Sequence, residues 1–297
     1  MDGRGRGAGA SPDPRDPRDP RDPRLIPQGG RSAISRKGGD PGTSQIALGP
    51  RERVWVTGDV HLSPDDPASA EAFVRFLDAA RADADRLCIL GDLFDYWLGE
   101  RHGEACAYRP VLAALRRATA AGFPIDFLAG NRDFLSPEGL ERAGLTVHSD
   151  RLVYDRAGAA TLVTHGDLLV EGDTSYQRYR RLIRSAPMRA LYRAIPVWLR
   201  LRLAEWIRRI SRRKLGRVAA YAYPIDLARA ERWMRDTGSC DLLMGHLHRL
   251  ERHSIEAGTV QMLPGWIDGE AGYFLLGPPA TLERVELASR RRGSRDR

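Results

Sequence analysis

The sequence predicts an α/β fold, and three observations predict it. Apolar strand-like runs alternate with helical stretches between residues 54 and 248. Five of those runs end in a glycine beside acidic, amide or histidine residues, the place where open α/β sheets hold ligands. A closing series of short strand candidates has no helix between its members, which suggests a second sheet packed nearby.

The elements follow in order. "VWVTGDV" is a strand closed by Gly58, and residues 68–83 read as a helix. "RLCIL" is a strand, residues 105–121 a helix, and "PIDFLAG" a strand. "ATLVTHGD" comes next, then a long helical region from about 174 to 236, then "CDLLMGH". "RHSIEAGTVQML" reads as a hairpin with Ala257-Gly258 at its turn, followed by "YFLL" and "LERVEL". Residues 1–50 are expected to be a disordered low-complexity extension. The repeat "DPRDPRDPRDPR" carries a proline in every unit and has no apolar face to bury. The folded domain is expected over 51–288, with a helical insertion at about 174–223 and a basic tail at 289–297.

Composition narrows the class. The formal net charge is +8, and every basic residue except Lys37 and Lys214 is arginine. Such a balance suits phosphates, acidic lipids or nucleic acid, although arginine-biased codon usage produces the same excess. Cys88, Cys106 and Cys240 form no C-x-x-C pair and leave an odd count, which argues against a disulfide framework. Cys88 and Cys240 lie in or beside apolar runs and are expected to be buried. No stretch approaches the roughly 18 apolar residues of a membrane span, and the start of the chain lacks the apolar core of a secretory signal. A cytoplasmic protein, able to lie against a membrane, is the expectation.

The five strand ends supply Asp59 and His61 ("VTGDVHL"), Asp92 ("LCILGDLFDYW"), Asn131, Arg132 and Asp133 ("FLAGNRDF"), His165 ("LVTHGD"), and His246 and His248 ("LLMGHLHRL"). One such aspartate is usually a turn or helix cap, and one such histidine a satisfied polar group. Seven of these side chains, Asp59, His61, Asp92, Asn131, His165, His246 and His248, together form the ligand set of two adjacent cations. Such a pair clamps both the attacking and the leaving oxygen of a phosphoryl transfer. Mixed imidazole and carboxylate ligands favour Mn, Fe or Zn over Mg.

The order D-x-H, GD, GN-(H/R)-(D/E), H, GH-x-H resembles the calcineurin-like metallophosphoesterases, and each step is present across residues 54–248. The resemblance implies a four-layer αββα sandwich. It also implies one metal on Asp59, His61, Asp92 and His248, and a second on Asp92, Asn131, His165 and His246. Asp92 would bridge the two. Where many members have histidine after the asparagine, this chain has Arg132, which cannot readily donate a proton but can hold a phosphate oxygen. The strings "GDLFDYWLG", "GNRDFL", "HGDLLVEGDTSYQRYR", "GHLHR" and "LPGW" are similar to the UDP-2,3-diacylglucosamine hydrolases of lipid A synthesis. That likeness implies two Mn²⁺ ions, catalytic roles for Asp92, Asn131 and Arg132, and an acylated UDP-sugar contacted by Arg132, Asp173 and Tyr176. This chain departs from those strings in having GHLHR for GHTHR, LPGW for LGDW and DVHL for DLHL. Other substrates open to the same machinery are a soluble nucleotide pyrophosphate, a cyclic nucleotide or a nucleic acid, and a non-catalytic binding protein is the rival of a different class.

The insertion has its own pattern. Residues 178–217 hold fourteen basic side chains against one acid, Glu205. Leu199, Leu203, Trp206, Ile207 and Ile210 recur at helical spacing as an apolar stripe, and Pro187 and Pro196 divide the stretch. The stripe could dock on the core under a solvated arginine face. It could accept acyl chains with a basic rim against anionic lipid, Trp198 and Trp206 sitting at the interface. It could instead bind nucleic acid through phosphates, the least favoured reading. The resemblance implies the second, on the inner face of the inner membrane.

Overall fold

The computed structural model describes residues 42–105, 108–133, 138–171, 174–185 and 223–266, strands at 34–35, 272–277 and 281–286, and scattered positions between 187 and 202. The strands are β1 (Ile34–Ser35), β2 (Thr43–Ala47), β3 (Val54–Thr57), β4 (Arg86–Ile89), β5 (Ile125–Leu128), β6 (Thr146–His148), β7 (Arg151–Arg156), β8 (Ala159–Thr164), β9 (Asp241–Met244), β10 (Arg252–Ile255), β11 (Gly258–Met262), β12 (Gly272–Gly277) and β13 (Thr281–Glu286). The described helices are α1 (Pro67–Asp83), α2 (Glu100–Ala105), α3 (Arg109–Ala120), α4 (Glu138–Arg142), α5 (Thr174–Ile183) and α6 (Leu227–Thr237).

Two mixed sheets result, ordered β1-β2-β7-β8-β9-β11-β10 and β13-β12-β3-β4-β5-β6. In the second sheet β3, β4, β5 and β6 run parallel. In the first, β8, β9 and β11 run parallel. Strand alternation sorts the side chains into three apolar layers. Val54, Val56, Cys88 and Leu128 meet Leu152, Tyr154, Val163 and Leu243 between the sheets. Trp55, Leu87, Ile89 and Phe127, on the opposite face, pack under Phe73, Phe76, Leu112 and Leu115 of α1 and α3. Val153, Leu162, Leu242 and Val260 pack under Ala230 and Met234 of α6. Helix, sheet, sheet, helix is therefore the layering, with each inner layer apolar on both faces.

Local chemistry explains the helix ends. Pro67 opens α1 in the first turn, where its missing N–H costs nothing. The Asp226 side chain accepts from the Arg229 N–H at the start of α6, and Gly238 ends that helix at φ 68°.

Several expectations change. The folded part starts earlier than residue 51, because β2 pairs in parallel with β7 and buries Ile46 between the sheets. The expected hairpin turn shifts by one residue: Ile255 pairs with Gly258, so Glu256-Ala257 turn the chain and Gly258 opens β11. Cys88 is buried, but Cys240 is exposed because it precedes β9 rather than lying within it. The expected helix at 105–121 is α3, which starts at Arg109, and a separate short helix, α2, precedes it and ends at Ala105. Of the region 174–236, α5 and α6 are helices, and most of the stretch between them lies outside the described residues.

Candidate metal centre

The predicted ligands follow the carboxyl ends of β3, β4, β5, β8 and β9, and the two sheets bring them together. Backbone bonds lace these loops. Asp59 N–H donates to the Gly91 carbonyl at 3.1 Å, His61 N–H to that of Asp92 at 2.9 Å, and Gly245 N–H to that of His165 at 3.0 Å. Asp133 accepts from the Leu93 N–H at 2.9 Å and the Gly130 N–H at 2.8 Å, tying the β4 and β5 loops. Trp266, from the "LPGW" string, donates its backbone N–H to the Asp59 carbonyl and its indole N–H to Thr57.

Backbone strain marks the same residues. Six non-glycine residues have positive φ among those described, and five are Asp59, His61, Asp92, His246 and His248, at 49–72°. The sixth, Ala157, sits in the β7–β8 hairpin turn. Left-handed backbone costs an L-residue roughly 1 kcal/mol or more, and such residues gather where function demands a particular side-chain aim. Two glycines allow the close approach this needs. A Cβ at Gly130 would stand 2.2 Å from Asp92 Oδ1, and one at Gly245 2.3 Å from Asp59 Oδ2.

Two groups of ligand atoms lie within 4.8 Å of one another: Asp59, His61 and His248, and Asp59, Asp92 and His165. Asp59 belongs to both. Asp92 has His61 Nε2 4.0 Å from one oxygen and His165 Nε2 3.9 Å from the other. The Asn131 amide stands 2.5 and 2.9 Å from the two Asp92 oxygens. With its nitrogen toward Asp92 the amide donates to the carboxylate, and turned over it would set its oxygen beside the carboxylate to face a cation. His246 falls outside both groups. Its N–H donates to Asp59 Oδ2 at 2.6 Å, and its ring centroid is 5.0 Å from that of His165.

The donor set fits divalent cations. Asp59 Oδ1 and His165 Nε2 are buried without a hydrogen-bond partner. His165 Nδ1 lies 2.7 Å from the Leu90 carbonyl, which places the proton there and leaves Nε2 as a lone pair facing the centre. His61 and His248 turn their Nε2 atoms on each other at 3.0 Å, close enough for one ring to donate to the other or for both to serve one cation. Electrostatics agree. Burial holds His61 down at about 3 and His246 at about 4, so both rings are neutral donors at pH 7. Burial would raise the Asp59 carboxyl, but the nearby His248, His165 and His61 outweigh it and hold it at about 2. Burial, with Asp133 and Asp59 beside it, pushes Asp92 up to about 7 against the pull of His165 and Arg132. Two buried carboxylates ringed by inward lone pairs are stabilised by positive charge.

Arg132 lies at the rim. Its backbone N–H donates to Asp92 Oδ1 at 2.9 Å, its NH1 donates to Asp95 Oδ1 at 2.8 Å, and its side chain is 41% exposed. Tyr176 does not present a free hydroxyl: it donates to Asp167 Oδ2 at 2.7 Å. Asp173, Leu203, Trp206, Ile207 and Ile210 lie outside the described residues. Arg180 and Arg184, two of the fourteen basic residues of 178–217, are paired with Asp150, and Arg180 also with Asp167. Sequence reasoning missed Asp150, whose "HSD" context carries no motif. It also missed Asp167, whose carboxylate accepts from Tyr176 and Arg180 of α5.

Comparisons with known proteins align with this geometry. The family model for calcineurin-like phosphoesterases matches residues 52–250. A protein of Edwardsiella ictaluri named UDP-2,3-diacylglucosamine hydrolase is 36% identical over 66% of this chain and 75% of its own length. Proteins with the same name from Neisseria meningitidis serogroup B and Xanthomonas axonopodis pv. citri are 33% and 35% identical. These matches cover 74% and 77% of this chain, and 96% and 97% of the relatives.

Proposed function

This chain belongs to the calcineurin-like phosphoesterase family, with UDP-2,3-diacylglucosamine hydrolases among its relatives, and on that premise we propose that it hydrolyses UDP-2,3-diacylglucosamine to UMP and 2,3-diacylglucosamine 1-phosphate. The observation that carries the reading is the convergence of donors from four strand ends, Asp59, Asp92 and His165 buried among them, in a chain with those relatives.

Asp59, His61, Asp92 and His248 would hold one Mn²⁺, and Asp92, Asn131, His165 and His246 a second. Bound there, the ions would supply positive charge that acidifies an attacking water and neutralises phosphoryl oxygens. In the overall reaction water oxygen bonds to the α-phosphorus, the bond from that phosphorus to the bridging oxygen breaks, and the bridging oxygen leaves with the sugar phosphate. Arg132 is accessible enough to take a phosphoryl oxygen through its guanidinium, and Asp95 keeps that group at the rim. Its permanent charge makes it an electrostatic stabiliser and no proton donor. Asp173 and Tyr176, at the start of the insertion, would orient the headgroup, Tyr176 as an acceptor through its hydroxyl oxygen since its proton is committed to Asp167.

The insertion supports a peripheral membrane placement on the cytoplasmic face. Tyr179, Leu182, Leu191, Trp198 and Leu199 are exposed apolar side chains there, interleaved with exposed Arg178, Arg181 and Arg202. Apolar residues with a basic surround suit anionic lipid. No helix among the described residues is long and apolar enough to cross a membrane.

The test is direct detection of UMP, with Mn²⁺, from UDP-2,3-diacylglucosamine beside UDP-GlcNAc and single-stranded DNA. Release from the acylated substrate alone, abolished in Asp92→Asn, is the expected result. Turnover of UDP-GlcNAc or DNA without the acylated substrate would overturn the substrate assignment and leave the metal centre standing.

A further inference from the structure

The first helix of the insertion is bolted to the metal-centre loops by charges outside the ligand set. On α5 and the turn that ends it, Tyr176, Arg180 and Arg184 recur at helical spacing and face the domain, while Arg178, Tyr179, Arg181 and Leu182 face outward. Arg180 is buried, and its Nε donates to Asp167 Oδ2 at 2.7 Å, two residues beyond His165. Its NH2 donates to Asp150 Oδ1 at 2.5 Å and its NH1 to Asp150 Oδ2 at 3.3 Å. Arg184 reaches the same carboxylate through NH1 at 2.5 Å. The NH2 of Arg184 then donates to the carbonyls of Ala129 and Gly130, at 3.2 and 3.3 Å, immediately before Asn131.

Asp150 is the hub of this chain of contacts. It occupies the turn between β6 of one sheet and β7 of the other, and its carbonyl also accepts from the Thr164 hydroxyl, next to His165, at 2.8 Å. The carboxylate thus gathers two arginines of the insertion; Arg184 reaches on to the loop that carries Asn131, Arg180 to Asp167 beyond His165, and the Asp150 backbone carbonyl meets Thr164. Two guanidiniums on one carboxylate are satisfied only while α5 stays docked. If α5 lifts, Asp150 and Asp167 lose their partners in a largely buried setting, which is costly.

We propose that Asp150 is a positioning residue that couples the docking of the insertion, through Arg180 and Arg184, to the placement of Asn131 and His165. The docked insertion and the metal-competent loops are then one cooperative unit, so that whatever displaces α5 weakens cation binding. This rests on the metal-centre reading but not on the identity of the substrate.

The experiment uses the full chain without substrate. Backbone hydrogen exchange and Mn²⁺ affinity are measured in wild type, Asp150→Asn, Arg184→Gln, their double variant and Asp150→Glu. The expected result is at least about tenfold faster exchange, both over 176–184 and over 129–132, in Asp150→Asn and Arg184→Gln. Mn²⁺ affinity should fall about 10-fold in each single variant and hardly further in the double, since the two residues act through one contact. Asp150→Glu, which keeps the charge, should recover most of both. Faster exchange confined to 176–184 with unchanged Mn²⁺ affinity would overturn the coupling and leave Asp150 an anchor alone. No change in either readout would overturn it entirely. If Asp150→Asn does not fold, Arg184→Gln alone decides between these outcomes, because it removes the less buried of the two arginines and leaves Arg180 on the carboxylate. Loss of Mn²⁺ binding in wild type would refute the metal-centre reading instead, and so stays distinguishable.

Discussion

His165 donates a hydrogen bond from Nδ1 to the Leu90 carbonyl at 2.7 Å, and that single contact decides which of its nitrogens faces the centre. Leu90 lies two residues before Asp92, so the strand that delivers the central carboxylate also orients a ring from the other sheet. With its tautomer set this way, the ring offers Nε2 as a ligand. Burial opposes a proton there, but Asp92 and Asp59 more than offset it and raise the group. A proton and a cation therefore compete for one site. His165→Ala should lower Mn²⁺ affinity by about 100-fold or more and reduce turnover in parallel, measured by metal titration and UMP release.

The crowded carboxylates make a steric prediction. A single methyl at Gly130 or Gly245 intrudes on Asp92 or Asp59 at little over 2 Å. Gly130→Ala and Gly245→Ala should each lose most Mn²⁺ binding and activity while retaining the far-ultraviolet circular dichroism of the wild type. Wild-type metal content in either variant would show that the ligands sit elsewhere.

Strain at the ligands predicts a trade of function against stability. His246 has φ 72°, which glycine adopts without cost and alanine does not. Without metal, His246→Gly should melt higher than His246→Ala, by an amount corresponding to about 1 kcal/mol. Both should be impaired in turnover. Equal melting temperatures would refute the strain argument.

Arg132 is expected to act on the transition state. Arg132→Ala should reduce kcat by about 10²-fold with Mn²⁺ content intact, and Arg132→Lys should recover little, since an ammonium does not reproduce the planar fork. A variant with unchanged kcat and a raised KM would instead show that the guanidinium only binds substrate.

Away from the centre, Asp126 predicts acid sensitivity. It is buried between the sheets, where it meets Arg86 at 2.9 Å, His148 at 2.8 Å and the Tyr154 hydroxyl at 2.7 Å. Burial alone would raise its carboxyl, but those partners outweigh burial and depress it below the ordinary value. A depressed carboxylate contributes stability above its unfolded pKa of about 4, and that contribution is lost as pH falls through the folded value. Unfolding free energy should therefore drop below about pH 4, and less steeply in Asp126→Asn. That variant should be destabilised near neutrality by about 1.5–3 kcal/mol, because Arg86 loses one buried carboxylate partner while its pair with Glu52 at 3.1 Å remains. Denaturant midpoints across pH check both.

How much was readable in advance differs from residue to residue. Asp59, His61, Asp92, Asn131, His165, His246 and His248 could be singled out as candidates because each ends an apolar run near a glycine, a local pattern with a local cause. The α/β alternation was legible for the same reason: periodicity and turn residues act within a few positions. Boundaries failed where pairing across the chain decided them. β2 has little apolar pattern of its own and exists because β7 offers it an edge, and Gly258 belongs to a strand because it pairs with Ile255. Cys240 looked buried from its apolar neighbours but sits one residue outside β9.

The sequence by itself determined the inventory: which donors exist, in what order, and on the ends of which strands. Only the tertiary structure decided the distances among donors from both sheets, the lone pair His165 turns inward, and the pairing of Arg180 and Arg184 with Asp150. The physical reason is that charge pairing and burial depend on what the rest of the chain brings alongside. Asp150 lies 30 and 34 residues from its two arginines, with nothing local to mark it.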